Sequence, residues 1–113
     1  MKIENTKAQM RKGILEYCIL SILQNGDAYT NEILLHLKDA KLLVVEGTIY
    51  PLLTRLKNAG LLSYRWEESL SGPPRKYYAL TETGILFLKE LDNTWTDLIT
   101  SVNTVTRKKS TKK

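Results

Sequence analysis

The sequence contains few of the residues on which catalysis, metal binding and covalent cross-linking depend. Among its 113 residues there is a single cysteine, Cys18, and a single histidine, His36. One cysteine cannot form a disulfide within the chain, and its apolar neighbours favour a small packed side chain in a reducing cytoplasm. The cysteine and the histidine lie on different predicted helices, and no glycine-rich phosphate loop or metal-ligand cluster is present. We therefore expect no enzyme activity, no metal and no cofactor.

Long apolar runs are also missing. No stretch approaches the ~20 residues that are needed to cross a bilayer, and the first residues, MKIENTKAQMRKG, lack the apolar centre of a signal peptide. The sequence therefore predicts a soluble, cytoplasmic protein that has no membrane partner.

The positive charge is unevenly distributed. The formal net charge is +5, but the whole excess lies in the segment 107–113, RKKSTKK, while residues 1–106 carry equal numbers of acidic and basic side chains. Because this tail has no apolar residue, we expect residues 107–113 to be disordered. The tail either adds nonspecific attraction to nucleic acid or only solvates the terminus.

A short amphipathic helix is predicted within the segment EGTIYPLLTRLKNAG. Its apolar residues recur at the spacing of one helical face: Ile49, Leu52, Leu53 and Leu56. Gly60 follows the last apolar turn, where a left-handed cap residue is expected. Pro51 is tolerated only near the first turn, which places the start of the helix between residues 46 and 48. The N-terminal half of this helix is therefore free to enter a groove.

A β-hairpin is predicted directly after this helix. Two runs are rich in aromatic and aliphatic residues: 61–66 and 76–80. The segment 67–74 between them carries acids, serines, a glycine and a proline pair, and predicts a long polar tip. Arg75 and Lys76 stand where the second strand leaves the tip and can reach phosphate oxygens, while Tyr77 and Tyr78 hold the strand against the body. A helix followed by a basic hairpin is how a winged helix-turn-helix grips duplex DNA.

Two helices are predicted ahead of this motif. A broad apolar stripe predicts the first over residues 6–24, and Gly26 follows its end. The second begins at Thr30, whose hydroxyl suits an N-cap position, and ends near Ala40. The connection 41–45 predicts either a brief extended piece beside the wing or a continuation of the second helix.

The last predicted helix is long and carries a coiled-coil seam. It begins after Thr81 as the N-cap and continues over residues 82–106, which would extend ~37 Å. Its apolar residues are separated alternately by three and four positions, as in an a/d seam: Leu88, Leu91, Trp95, Leu98, Val102 and Val105. The seam either packs on the first helix of the same chain or joins a second chain. We favour a mixture, in which the helix crosses both the first helix and its own symmetry mate.

Together these elements predict a mainly α fold with a small β-hairpin, of the α+β class. Residues 1–80 are expected to form a winged helix-turn-helix DNA-binding domain, residues 81–106 a C-terminal dimerisation helix, and residues 107–113 the tail. A symmetric dimer suits a palindromic site on double-stranded DNA.

Three segments resemble the PadR family of bacterial transcriptional regulators, in its subfamily with a short C-terminal region. EGTIYPLLTRLKNAGLL is similar to the family's recognition helix, SGPPRKYYALTETG to its wing and the start of the last helix, and DAYTNEI to the start of its second helix. The resemblance extends over nearly all of residues 11–95. It implies a homodimer in which each last helix packs on the first helix of the partner, and repression by occupying a promoter.

The resemblance also implies which residues contact DNA. They lie at the start of the recognition helix, near the backbone at its middle, at the second helix and in the wing: Tyr29, Thr48, Tyr50, Pro51, Arg55, Arg75, Lys76 and Tyr78. Some multidrug-sensing relatives stack flat aromatic ligands between two copies of a tryptophan placed like Trp95, and Asp92 one turn earlier is a carboxylate that could attract a cationic ligand. Alternatively, Trp95 is a packed interface aromatic. Trp66, in the wing, is expected to lie in the core.

The sequence patterns and the family resemblance are compatible with two functions. The first is a homodimeric repressor that binds a palindromic promoter site and is released by a small aromatic effector. The second is a winged-helix protein-interaction module without sequence-specific DNA binding, since residues 1–106 carry no net charge. The two differ in whether the recognition face of the dimer is electropositive.

Overall fold

The computed structural model describes residues 1–42 and 44–107 of the chain. This part contains four helices and three strands: α1 (Ile3–Gln24), β1 (Ala28–Tyr29), α2 (Thr30–Asp39), α3 (Glu46–Asn58), β2 (Leu62–Ser69), β3 (Gly72–Leu80) and α4 (Glu82–Thr106). The strands form one antiparallel sheet in the order β1-β3-β2. The mainly helical fold with a small β-hairpin is therefore confirmed. No helix in the described part is long and apolar enough to span a membrane.

The core lies where α1, α2 and α3 meet the base of the sheet and the first turns of α4. Its fully buried side chains come from all four helices: Ile19, Leu20, Ile33, Leu37, Ile49, Leu53 and Leu88. The apolar face predicted for α3 is confirmed, because Leu56 is also buried and Leu52 packs partly against the core. One side of α3 is therefore buried in the core, and the opposite side is exposed to solvent.

The helix ends follow recognisable capping chemistry. Gly60 has φ +82° after the end of α3, and the next amide, Leu61 N–H, donates to the Leu56 carbonyl at 3.0 Å. The same pattern ends α2, where Lys41 has φ +66° and Leu42 N–H donates to the Leu37 carbonyl at 2.8 Å. Both are Schellman motifs, which satisfy carbonyls that the helix leaves without partners.

The connection after α2 matches neither of the two expected forms. The left-handed Lys41 stops α2, so the helix cannot continue, and the described residues of segment 41–45 form no strand. Leu43 lies outside the described residues, as does the predicted disordered tail beyond Arg107.

The third strand comes instead from the loop before α2. Ala28 and Tyr29 pair with Tyr78 and Tyr77 of β3. The N-cap of α2 is Tyr29, not Thr30 as predicted, because Thr30 is already helical while Tyr29 is extended with ψ 168°. The Tyr29 N–H donates to the Glu32 carboxylate at 3.1 Å. This is one of the two hydrogen bonds of a capping box, the one from the N-cap backbone to the N3 side chain. α1 likewise begins at Ile3, three residues before its predicted start.

The wing, defined as the hairpin of β2 and β3 (Leu62–Leu80), has longer strands than expected. Its strands separate only at Leu70 and Ser71, so the long polar tip predicted over residues 67–74 is wrong. Glu67 pairs with Arg75 across the ladder, although neither residue gives an apolar strand signal. Trp66 is exposed, so its predicted place in the core is also wrong. Beyond Leu62 the ribbon projects from the core, and there even an aromatic strand residue meets solvent.

Pro51 is the sixth residue of α3, so it lies in the second turn and not near the first, as expected. Proline has no N–H to donate to the carbonyl four residues earlier, which belongs to Gly47. Both residues are exposed, and solvent can therefore satisfy that carbonyl.

The end of α3, the wing and α4 meet at one junction. The Thr81 N–H donates to the Leu61 carbonyl at 3.1 Å, and the Thr81 hydroxyl donates to the Gly60 carbonyl at 2.7 Å. That hydroxyl also accepts from the Gly84 N–H at 2.9 Å, as predicted for the N-cap of α4. A side chain at Gly84 would overlap the backbone carbonyl of Leu61.

Replacing Gly84 with alanine should therefore destabilise the fold. The added Cβ would push backbone against backbone, and overpacking of this kind costs about 2–3 kcal/mol. Urea unfolding followed by circular dichroism would measure the change in the free energy of unfolding. The matched control is Gly47→Ala in α3, where a Cβ would meet nothing within 4 Å and alanine has the better helix propensity. Equal stability of the Gly84→Ala and Gly47→Ala proteins would contradict this prediction.

Candidate nucleic-acid interface

A cleft of about 380 Å³ lies between the exposed side of α3, the start of α2 and the wing. Its lining combines tyrosine rings, small polar side chains and two cations: Tyr29, Thr30, Asn31, Tyr50, Thr54, Trp66, Pro74, Arg75, Lys76 and Tyr78. The two-residue strand β1 places Tyr29 against the wing, and the exposed side of α3 forms the opposite wall. Three elements that are distant in sequence therefore share one concave surface.

The cleft brings together five of the eight residues that the sequence singled out for DNA contact: Tyr29, Tyr50, Arg75, Lys76 and Tyr78. Thr48 and Pro51 are exposed on the first half of α3 but do not line the cleft. Arg55 lies elsewhere, since its Nε donates to the Glu16 carboxylate of α1 at 2.7 Å. This ion pair is solvent-exposed on the arginine side, and such pairs contribute little stability.

The two cations of the cleft are held by aromatic rings. The Arg75 guanidinium lies 4.4 Å from the centre of the Tyr29 ring. The Lys76 Nζ lies 4.3 Å from the centre of the Tyr64 ring and 5.3 Å from that of Trp66. Contacts of this length are favourable cation–π interactions, which fix the direction of a cation without neutralising it.

Neither cation has an acidic partner among the described residues. Arg65 of β2 differs in this respect: its guanidinium bridges Asp27 and Glu67. Arg65 is therefore neutralised by its own chain, whereas Arg75 and Lys76 keep their charge for an external anion.

Tyr78 supplies a neutral hydrogen-bonding group at the base of the cleft. Its side chain is 5% exposed, and burial raises the pKa of its phenol, with smaller contributions from Tyr50 and Tyr64. The phenol thus stays protonated and can donate a hydrogen bond to an anion.

A second concave surface, the α1/α4 groove, has a volume of about 340 Å³. It is mostly apolar and is lined by Gln9, Met10, Gly13, Ile14, Tyr17, Leu91, Thr94, Trp95 and Leu98. The Tyr17 and Trp95 rings are 6.2 Å apart and inclined at 48°. The Tyr17 hydroxyl donates to the Asp92 carboxylate at 2.5 Å, and this hydrogen bond raises the pKa of Tyr17 to about 12. Asp92 therefore already has a partner within the chain.

The predicted seam of α4 is buried at one end only. Leu88 is fully buried and Leu91 is half-buried, but the exposed fraction rises to 37% at Trp95, 52% at Val102 and 85% at Val105. Every residue of α4 from Asp92 to Thr106 is exposed, and the longest dimension of the described chain is 58 Å. One face of this exposed half is apolar and has no covering in the described part of the chain.

Several residues of the cleft were not predicted from the sequence to be part of a site, chiefly Asn31, Thr54, Trp66 and Pro74. The useful signal was present in the wing, where Trp66 pairs with Lys76, but it becomes visible only when the strand register is known. A hairpin with a two-residue turn places Tyr64, Trp66, Lys76 and Tyr78 on one face. A long tip does not fix this register.

A helix with one exposed side, a short strand before the preceding helix and a hairpin after it define a winged helix-turn-helix. The family model described as "Transcriptional regulator PadR-like family" matches residues 19–90. The chain belongs to this family, as the resemblance of its three segments predicted.

Solved structures of relatives cover most of the chain. A PadR-like transcription factor from Bacteroides fragilis is 58% identical, with 89% of this chain and 98% of that chain covered and a TM-score of 0.76. A PadR family transcriptional regulator from Eggerthella lenta is 31% identical, with 93% and 92% covered and a TM-score of 0.83. Bacillus subtilis PadR, solved in complex with operator DNA, is 26% identical, with 69% and 47% covered and a TM-score of 0.64.

Proposed function

We propose that this chain binds double-stranded DNA as a homodimer and represses transcription from a promoter with a palindromic site. The observation that supports it most is the cleft beside the exposed side of α3. There Arg75 and Lys76 have no acidic partner among residues 1–42 and 44–107. Such cations attract a polyanion, and the Bacillus subtilis relative was solved with operator DNA. The same cationic lining favours DNA over the alternative of a protein-interaction module.

Each element has a distinct task in this proposal. The first half of α3, with Thr48, Tyr50 and Pro51, enters the major groove, where a hydroxyl or a methyl group can meet base edges. The wing cations Arg75 and Lys76 bind phosphate oxygens, which fixes the register of the protein on the duplex.

The remaining contacts support these two elements. Tyr29 and Tyr78 set the direction of the wing cations and offer phenols to the backbone. Arg55 reaches the backbone by exchanging its Glu16 partner for a phosphate. Residues 1–80 are the DNA-binding domain, and residues 81–106 form the dimerisation helix.

The dimer forms through the uncovered seam of α4. Trp95, Leu98, Val102 and Val105 are exposed on one apolar face, and a second copy is the partner that a repeating seam of this kind fits. Packing α4 on both α1 and the α4 of the partner would bury this face and place two wings at a fixed separation.

The α1/α4 groove is where an effector would act. It is apolar, and Trp95 and Tyr17 offer two rings at its centre. A flat aromatic compound could stack on Trp95 between the two copies, with Asp92 nearby for a cationic one. Binding there would change how the subunits pack and so the spacing of the wings, which would release the promoter.

Removing a wing cation should weaken binding to every duplex. Arg75→Ala and Lys76→Ala each delete a phosphate contact, so we expect roughly tenfold weaker binding. The slope of log K against log salt should fall by about 1 for each cation lost, or about 2 per dimer. Fluorescence anisotropy with the chain's promoter fragment and a random duplex would measure both quantities.

Three further variants complete that experiment. Lys89→Ala removes the same charge from an exposed position of α4 outside the cleft and should leave both quantities unchanged. Thr48→Ala and Tyr50→Phe should also lower the ratio of specific to random binding, because base contacts carry sequence information. A wild-type protein that prefers its promoter no more than random duplex at physiological salt would refute the proposed function.

A charge within the seam should separate the subunits. Leu98→Asp would bury an unpaired carboxylate at the interface, which costs several kcal/mol. Sedimentation velocity should show the wild type at twice the chain mass of 12.9 kDa and the variant at that mass. The control, Thr100→Asp, places the same charge on the opposite face of α4. A variant that still sediments as a dimer would show that the seam is not the interface.

An effector should report through Trp95. Trp66→Phe leaves Trp95 as the only tryptophan of the chain, and a planar aromatic compound stacked on it should quench its fluorescence saturably. The same compound should release the promoter fragment from the wild-type protein. Titration of neutral and cationic compounds tests this, with Trp95→Phe as the control for release. An unchanged signal across the panel would count against the effector.

A further inference from the structure

Trp66 occupies an unusual position for so large an apolar side chain. It is 63% exposed, although tryptophan has one of the largest apolar surfaces to bury. It lies on the wing face that carries Tyr64, Lys76 and Tyr78, because Tyr64 pairs with Tyr78 and Trp66 with Lys76. The ring is thus presented to solvent beside a cation.

The ring is held in place. Tyr64 meets it edge to face, with centroids 6.4 Å apart and ring planes at 86°, and Lys76 lies over it at 5.3 Å. Part of the entropy cost of immobilising the ring and the lysine is therefore met before any ligand arrives, which favours binding.

The surroundings of the ring indicate its ligand. Trp66 lines the cleft together with Tyr50 and Thr54 of α3, and its cross-strand neighbour is Lys76. The backbone of a nucleic-acid duplex alternates phosphate anions with deoxyribose rings, whose carbon faces are apolar. A fixed aromatic face with a cation beside it is complementary to one sugar and the adjacent phosphate.

We propose that Trp66 packs its ring on a deoxyribose of the bound duplex while Lys76 meets the neighbouring phosphate. This inference rests on the proposed function, since it needs a duplex in the cleft. An apolar contact to a sugar neutralises no charge and reads no base edge. Trp66 therefore adds affinity for every duplex without changing either the salt dependence or the sequence preference.

Substitution at position 66 separates this role from that of Lys76. Trp66→Ala should weaken binding to promoter and random duplexes alike, roughly tenfold, as for a well-packed aromatic at an interface. The slope of log K against log salt should stay at the wild-type value, whereas Lys76→Ala lowers it. Trp66→Phe should recover most of the affinity. Wild-type affinity in Trp66→Ala, or a slope lowered as in Lys76→Ala, would overturn the inference.

A second measurement keeps the tryptophan in place. Protein labelled with 5-fluorotryptophan gives two ¹⁹F resonances, one for each tryptophan, and Trp66→Phe identifies that of residue 66. Saturating promoter duplex should move this resonance and reduce its shift between H₂O and D₂O, because the ring leaves solvent. A bound duplex with an unmoved resonance would overturn the inference alone. Failure of any duplex to bind would overturn the proposed function, and this inference with it.

Discussion

The close approach of α4 to the end of α3 is the constraint on which the rest of the structure depends. Leu61 sits at the centre of it: its carbonyl accepts from Thr81 and lies where a side chain at Gly84 would be. This contact fixes both ends of the wing and the start of α4 at one point. The direction of the wing relative to α3, and hence the shape of the cleft, follows from it.

Beyond that anchor the wing has no core to support it. β2 is exposed from Ser63 to Glu68, so the ribbon is stabilised by its own ladder and by contacts across its two faces. On one face Lys76 lies among three rings, and on the other Arg65 lies over Tyr77 at 5.4 Å. These cation–ring contacts replace the hydrophobic packing that a projecting hairpin lacks. The groups that stiffen the wing are consequently the groups that it presents to a ligand.

How much the sequence could predict depended on whether a residue's role was set locally. The apolar face of α3, the cap at Gly60 and the limits of α4 follow from periodicity and capping, and they were predicted correctly. The strand at Ala28 is made only by a partner 50 residues away, and two residues carry no periodic signal. Trp66 was misplaced for a related reason, because a strand pattern shows which residues share a face but not whether that face is covered. The cleft depends on such long-range pairings, so its cations could be named from sequence but its full lining could not.

Residues 1–106 carry no net charge, and yet the cleft is cationic. The pairing of charges elsewhere in the chain explains this. Two arginines form ion pairs with acids of the same chain: Arg55 with Glu16, and Arg65 with Asp27 and Glu67. None of these residues lines the cleft, and in the described part of the chain no acid forms an ion pair with Arg75 or Lys76. Glu67 lies opposite Arg75 in the ladder, but its carboxylate is paired with Arg65. Net charge sums over the whole surface, whereas an anion in the cleft senses mainly the charges within about a Debye length, ~8 Å at physiological salt. The balance of acids and bases in residues 1–106 therefore says nothing against nucleic acid as a ligand, because the arrangement of the pairs, and not their number, decides the local potential.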